Sequence, residues 1–309
     1  MDGLLLDTED LYTLCINVIL EKYGRPSLPW SIKARLQGRP GPEANRIFHE
    51  WARLPVDDAQ YLAEVSALHQ EHFPRAKPLP GVERLLGDLG RTRWWDLQQD
   101  GQEGAAAAAA AAQTTTTTTK KPQTPHRVHI ALATSSHAGN FAVKTRNWTE
   151  LFSVFETSRR VLGDDARIAP GRGKPLPDIY LLALQTINDS LRPGEAPITP
   201  EECLVFEDSV PGVEAGRRAG MRVVWAPHPM LKKEYEGREG DILAGRMGEA
   251  GSDAAGQPVG EVGDGWGEYL EDLTHFSYEK YGIVVPPPEV EENPAMKENV
   301  DKGVLADGI

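Results

Sequence analysis

Between His126 and Trp225 the chain alternates short apolar stretches with longer amphipathic ones, and most of the apolar stretches stop on a polar cluster. That rhythm restricts the fold more than any other feature. The spacing predicts a strand over 128–133 closed by Thr134-Ser135-Ser136, then a helix over 138–148 and an extended segment at Val154-Phe155. A helix over 178–191 follows, then a buried strand over 203–206, a helix over 213–219 and a strand over 223–225. Apolar strands joined by helices form a parallel sheet covered on both faces, so an α/β architecture of the Rossmann-like kind is expected.

The flanks differ. Residues 1–6 are a short apolar run, and from there to about residue 78 the pattern is helical. Leu11, Leu14, Cys15, Val18 and Ile19 recur at the three- and four-residue spacing of one buried face. Pro26, Pro29, Pro40, Pro42, Pro55 and Pro74 cut this stretch into short helices, which predicts an all-helical insert over 11–78. Pro78-Leu79-Pro80-Gly81 breaks the chain before a further helix over 82–89. Alanines at 105–112 and threonines at 114–119 mark a low-complexity loop insertion over 100–125. Residues 244–267 read as a looped insertion, 270–281 as a last helix and 286–309 as a disordered tail. The expected division is therefore a core of 1–10 with 79–285, and a helical cap of 11–78.

Composition narrows the partners. Lys and Arg total 33 against 46 Asp and Glu, a formal net charge of −13 that opposes binding to nucleic-acid phosphates. No stretch approaches the roughly 18 apolar residues of a membrane span. Two cysteines, Cys15 and Cys203, make no disulfide framework, so a cytoplasmic protein is expected. Nothing indicates an oligomeric state.

In an open parallel sheet, ligands gather beyond the carboxyl ends of the strands. The chemistry-bearing clusters fall at such ends: Asp2-Gly3 with Asp7-Thr8, Thr134-Ser135-Ser136, Lys174-Pro175 and Glu207-Asp208. Hydroxyls, a lysine and paired carboxylates around one crevice suit phosphoryl transfer with a hard cation. Each has a plainer reading. Glu207-Asp208 could open a loop, Lys174 and Arg39 could be solvated, and Thr134-Ser135-Ser136 could cap a helix. Asp7 could either cap the first helix or orient Asp2. His126, His129, His137 and His228 lack metal-ligand spacing, and Trp94-Trp95 reads as packing.

Taken in order, these clusters resemble the four motifs of the haloacid dehalogenase superfamily. They are Met1-Asp2-Gly3-Leu4-Leu5-Leu6-Asp7-Thr8-Glu9, Ala131-Leu132-Ala133-Thr134-Ser135-Ser136, Gly173-Lys174-Pro175-Leu176-Pro177-Asp178-Ile179-Tyr180 and Val205-Phe206-Glu207-Asp208-Ser209-Val210-Pro211-Gly212-Val213-Glu214-Ala215. Residues 161–165 and 203–227 resemble most the pseudouridine-5'-phosphatases within it. The resemblance implies a Mg2+-dependent phosphatase acting on a small phosphorylated metabolite through an aspartyl-phosphate, with a mobile helical cap. It implies Asp2 as general acid/base and backbone metal ligand, Thr134 and Ser135 as phosphate binders, and Lys174 as the phosphate-pairing lysine. It further implies Asp208 and Glu207 as metal ligands and Arg39 as a cap residue facing the substrate. The nucleophile of the motif would fall two positions before Asp2, outside this sequence, along with its strand. The expectation is that Met1 is an internal methionine and that the 309 residues alone do not turn over. The alternatives are a sugar phosphomutase on the same core, or an inactive phosphate- or partner-binding relic.

Overall fold

The computed structural model describes residues 1–92, 127–251 and 259–287. The expected low-complexity insertion, the tail from 288, Trp94-Trp95 and His126 lie outside these residues. Met1–Leu89 and Val128–Ser277 form one compact unit. A second unit, Gly90–Arg127 with Tyr278–Ile309, is described only at its edges, where Arg91 Nε donates to the Pro286 carbonyl at 3.0 Å.

Five short parallel strands carry the core, and among the described residues they form two sheets. β1 (Leu132–Ala133) pairs with β2 (Arg160–Val161), placing Leu132 opposite Arg160. β4 (Arg222–Trp225) lies between β3 (Leu204–Glu207) and β5 (Gly267–Tyr269), with Glu207 opposite Trp225 and Trp225 opposite Tyr269. The apolar runs expected at 128–133 and 203–206 thus mark real strands, the first of them cut to two residues. Val205, Val223 and Trp225 bury themselves with Val213 and Ala215 in one apolar cluster. Trp225 is wholly buried, and burying a side chain of this size contributes a few kcal/mol.

The helical stretch gives α1 (Thr8–Lys22), α2 (Trp30–Leu36), α3 (Gly41–Ala52) and α4 (Asp58–His72), with α5 (Val82–Thr92) after the Pro-Gly break. These cap helices own a separate apolar cluster of Ile19, Leu20, Leu28, Phe48, Ala52, Tyr61 and Val65. The face predicted for α1 is half right. Cys15 and Ile19 are buried, but Leu14 and Val18 are 40% and 43% exposed, and Leu20 takes the inner position instead.

Five further elements depart from the sequence pattern. The helix expected over 138–148 splits into α6 (Ala138–Thr145) and α7 (Thr149–Phe152). Between them Asn147 Nδ2 donates to the Pro74 carbonyl and Trp148 Nε1 to that of Ala76 at 2.7 Å, which pulls the backbone out of register. Val154-Phe155 is a turn, with the Phe155 N–H donating to the Phe152 carbonyl, and the strand comes later, at β2. α8 (Asp178–Asn188) ends early, whereas α9 (Val210–Arg218) starts early. Its start is set by the Ser209 hydroxyl accepting from the Gly212 N–H and by Pro211 in the first turn. Residues 229–243 add α10 (Pro229–Glu234) and α11 (Glu239–Leu243). No helix forms over 270–281; a 3-10 turn at Glu279–Tyr281 stands in its place. No helix among the described residues is long and apolar enough to cross a membrane.

Candidate active site

A cleft of about 480 Å³ opens where β1 and β3 end, roofed by the cap helices. Asp2, Arg39, Thr134, Ser135, Lys174, Glu207 and Asp208 all line it, whereas Asp7 and Thr8 do not.

The first six residues place Asp2. Gly3 has φ +64, and a Cβ there would stand 2.5 Å from Asp208 Oδ2 and 2.8 Å from Glu9 Cγ. Only glycine permits both that backbone and that approach. Leu6 pairs with Pro78 on one side and Asp2 on the other. The Asp2 carboxylate then accepts from Thr8 Oγ1 at 2.6 Å and from Ser136 Oγ at 2.8 Å, and faces Lys144 Nζ at 2.6 Å. Burial pushes this carboxyl up, but the Lys144 ammonium outweighs it and, with the hydrogen bonds from Lys144 and Thr8, holds it below the usual carboxylate range. Asp7 does not orient Asp2: its carboxylate accepts from the Lys77 N–H, and it makes no side-chain cap on α1.

Glu207 is the anchor of the opposite wall. Oε1 accepts from Lys174 Nζ and from Tyr180 Oη at 2.7 Å. Oε2 accepts from the Asp208 N–H, the Ser209 N–H and the Ser209 hydroxyl, at 2.9 to 3.0 Å. Burial raises its carboxyl, yet the Lys174 ammonium and the hydrogen bonds from Lys174 and the Ser209 N–H bring it below the usual carboxylate range. With both oxygens engaged, Glu207 positions Lys174 and the loop at 208–209. Gly212 packs against it, since a Cβ there would meet the carboxylate at 2.1 Å.

Asp208 is the contrasting carboxylate. It is 6% exposed, and its Oδ2 accepts from Gln37 Nε2 of the cap at 2.5 Å. Trp225 Nε1 donates to its backbone carbonyl at 3.0 Å and fixes the residue. Burial, then the charges of Glu207 and Glu9, push its carboxyl well above the usual carboxylate range. A buried carboxylate facing two others asks for a counter-cation. Among the described residues no three His, Cys, Asp or Glu side chains gather into a ready-made cage. A cation here would therefore take Asp208, backbone carbonyls and ligand oxygens, as hard divalent ions do.

The hydroxyl loop hangs on the next strand. The Thr134 N–H donates to the Val161 carbonyl and Thr134 Oγ1 accepts from the Ser136 N–H. The Gly163 N–H donates to the Ser136 carbonyl at 2.9 Å, and Asp164 Oδ1 accepts from the Ala138 N–H. Ser135 Oγ donates to the Gly38 carbonyl of the cap at 2.9 Å. Arg39 faces the cleft, but its guanidinium donates to the Arg35 carbonyl, to Glu43 at 2.7 Å and to Glu249. Sequence reasoning missed Gln37 and Lys144, and gave no role to Tyr180 at the end of the third motif. For Lys144 a signal existed: it lies three residues after Phe141, on that helix's buried face.

The chain matches the model of the haloacid dehalogenase-like hydrolases over residues 1–220. Fold and site thus define a hydrolase of that class, and the chain belongs to this family. It is 34% identical over 283 residues to a Saccharomyces cerevisiae protein named probable pseudouridine-5'-phosphatase, covering 92% of this chain and 94% of that one. It is 32% identical to an Arabidopsis thaliana (DL)-glycerol-3-phosphatase, over 79% of this chain and 67% of that one. Among solved structures, a family IA hydrolase from Entamoeba histolytica matches with a TM-score of 0.55 at 16% identity, over 91% of this chain and 94% of that one. That last likeness shows the fold.

Proposed function

We propose that this protein is a Mg2+-dependent hydrolase of small phosphomonoesters. The observation that carries the reading is the convergence of Asp2, Thr134, Lys174 and Asp208 on one cleft at the ends of two parallel strands. Asp208 and the Asp2 carbonyl would hold the cation, which supplies positive charge against the phosphoryl oxygens. Lys174, held in place by Glu207, would neutralise further phosphate charge, and the Thr134 hydroxyl and Ser135 N–H would donate to its oxygens. Asp2 stands ionised beside Lys144; the negative charge of a bound phosphoryl group would favour its protonated form, which would pass its proton to the departing alkoxide and then take one back from water. The phosphoryl acceptor that the family resemblance implies falls two positions before Asp2, outside this sequence.

The cap wall favours a leaving group larger than a triol. Phe48 and Tyr61 stack at 5.0 Å beside Ile16, Leu28 and Val65, with Asn45, Ser66 and Thr13 as the polar positions of the chamber. A planar ring with polar edges suits such walls. Pseudouridine 5'-phosphate is the leading candidate and glycerol 3-phosphate its competitor. The test measures phosphate release from both by protein purified from its own cells, with and without Mg2+. Release that needs Mg2+ and prefers the nucleotide is expected. Equal rates would remove the substrate assignment, isomerised sugar phosphate without release would make it a mutase, and no turnover of any phosphoester would overturn the reading.

A further inference from the structure

Lys144 sits in no motif named above, yet it is one of the most completely enclosed charges in the molecule. It lies on α6 behind the hydroxyl loop, with its side chain fully buried. Its Nζ donates to Tyr12 Oη and to Ser136 Oγ, both at 2.7 Å, and stands 2.6 Å from Asp2 Oδ1. The three ammonium hydrogens thus have three oxygen partners. The rings of Tyr12 and Phe73 close the remaining sides, at 4.5 and 4.7 Å from ring centre to nitrogen. Ser136 Oγ in turn donates a hydrogen bond to Asp2 Oδ2, so both carboxylate oxygens are bound by one connected set of donors.

Burying an ammonium costs several kcal/mol unless it is paired and hydrogen-bonded. Here the pairing ties three separate parts of the chain to one point: the first cap helix through Tyr12, the phosphate-binding loop through Ser136, and the acid/base residue itself. Lys144 does not line the cleft, so it does not touch a substrate. A lysine in this position sets where a carboxylate points without taking part in the reaction.

We propose that Lys144 is the positioning residue of the acid/base group, fixing the Asp2 carboxylate for proton delivery and linking its orientation to the first cap helix. The inference rests on the phosphatase reading above. It makes a prediction that a merely structural lysine does not. Proton delivery matters for a poor leaving group such as an alkoxide, and hardly at all for p-nitrophenolate, which leaves unaided.

The experiment compares the full-length gene product with its K144M variant on an alkyl phosphate and on p-nitrophenyl phosphate. The expected result is a kcat loss of ~10²–10⁴ on the alkyl ester against less than ~10-fold on the aryl ester. Equal losses on both esters would overturn the proposal, whereas no turnover by the unmodified protein would overturn the phosphatase reading instead. A stability cycle tests Lys144 independently of activity, because K144M leaves the half-buried Asp2 anion without its ammonium partner. The double variant D2N/K144M is expected to melt higher than K144M, or to fold where K144M does not. If D2N gives no relief, the pairing does not exist as described and the proposal is lost.

Discussion

Glu207 accepts five hydrogen bonds, from Lys174, Tyr180, the Asp208 and Ser209 backbone and the Ser209 hydroxyl. Its neighbour Asp208 keeps one amide partner, Gln37. Two adjacent acids therefore take different roles, and the difference lies in which oxygens the fold has already used. Glu207→Gln replaces an acceptor by a donor facing donors, and leaves Lys174 without its counter-charge. Breaking a buried pair of this kind costs about 3–5 kcal/mol, readable as a lower midpoint in urea unfolding. A loss below about 1 kcal/mol would mean that Glu207 is free to bind a ligand. His69 gives a pH prediction at the same scale. It stacks on Phe73 at 4.1 Å, and its Nε2 has no hydrogen-bond partner among the described residues. Burial, then the charge of Lys144, pull its ring from 6.5 down to about 3. Between those values the unfolded chain takes a proton that the native ring refuses. Stability should therefore fall as pH drops below 6.5, by up to about 1.4 kcal/mol per pH unit. His69→Phe should flatten that fall, which unfolding curves at about pH 7.5 and about pH 5 would reveal. Parallel curves for the two proteins would show that the ring is not held neutral.

At the scale of elements, the strands that end on chemistry were legible because a buried parallel strand needs an apolar run and a ligand site needs polar residues just beyond it. β5 was not legible, since Gly267-Glu268-Tyr269 has no apolar run; it exists because β4 offers its edge. The failed helix at 270–281 is more instructive. Leu273 and Phe276 are buried as their spacing suggests, with Phe276 packed edge-on to Phe206 at 4.9 Å. The backbone there runs against Gly81, where a Cβ would stand 2.3 Å from the Leu273 carbonyl carbon. Periodicity reported burial correctly and could not report a contact made 192 residues away in sequence, from Leu273 to Gly81. The site divides the same way: motifs exposed Asp2, Thr134, Lys174 and Asp208, while Lys144 looks like an ordinary helical residue until the helices pack. Gly163 belongs to this level too, because a Cβ there would lie 2.0 Å from the Ser135 carbonyl oxygen. Gly163→Ala must push the hydroxyl loop away from β2. Overpacking of this sort costs about 1–3 kcal/mol. The phosphatase activity should fall further than that loss of folded protein explains, by roughly 10²-fold for a displacement near 1 Å. Unchanged kcat in a destabilised variant would show that the loop repositions itself.

Across the whole molecule, the cap and the core each bury their own apolar cluster, and the contacts that cross between them at the cleft are largely polar. Gln37 reaches Asp208, Ser135 reaches the Gly38 carbonyl, and Arg39 reaches Glu249 on the looped insertion that follows α11. Both clusters belong to one compact unit, and a cap that opened for substrate would leave each of them intact. The Arg39–Glu249 pair stands at the rim of this closure, with side chains 9% and 18% exposed. Burial raises the Glu249 carboxyl, and the Arg39 guanidinium works against that rise. Glu249→Gln removes the charge yet leaves Arg39 its partner Glu43, so no cation is stranded. The variant should therefore fold with little loss of stability but hold its cap less firmly. A cap that opens more often weakens ground-state capture before it slows chemistry. KM is expected to rise several-fold with kcat little changed, and backbone amides of α2 and α3 should exchange hydrogen faster while those of β3 and β4 do not. Protection lost equally from cap and core would place Glu249 in the stability of the whole fold. Unchanged exchange and unchanged KM would leave closure to Gln37 and Ser135, the two cap contacts made inside the site.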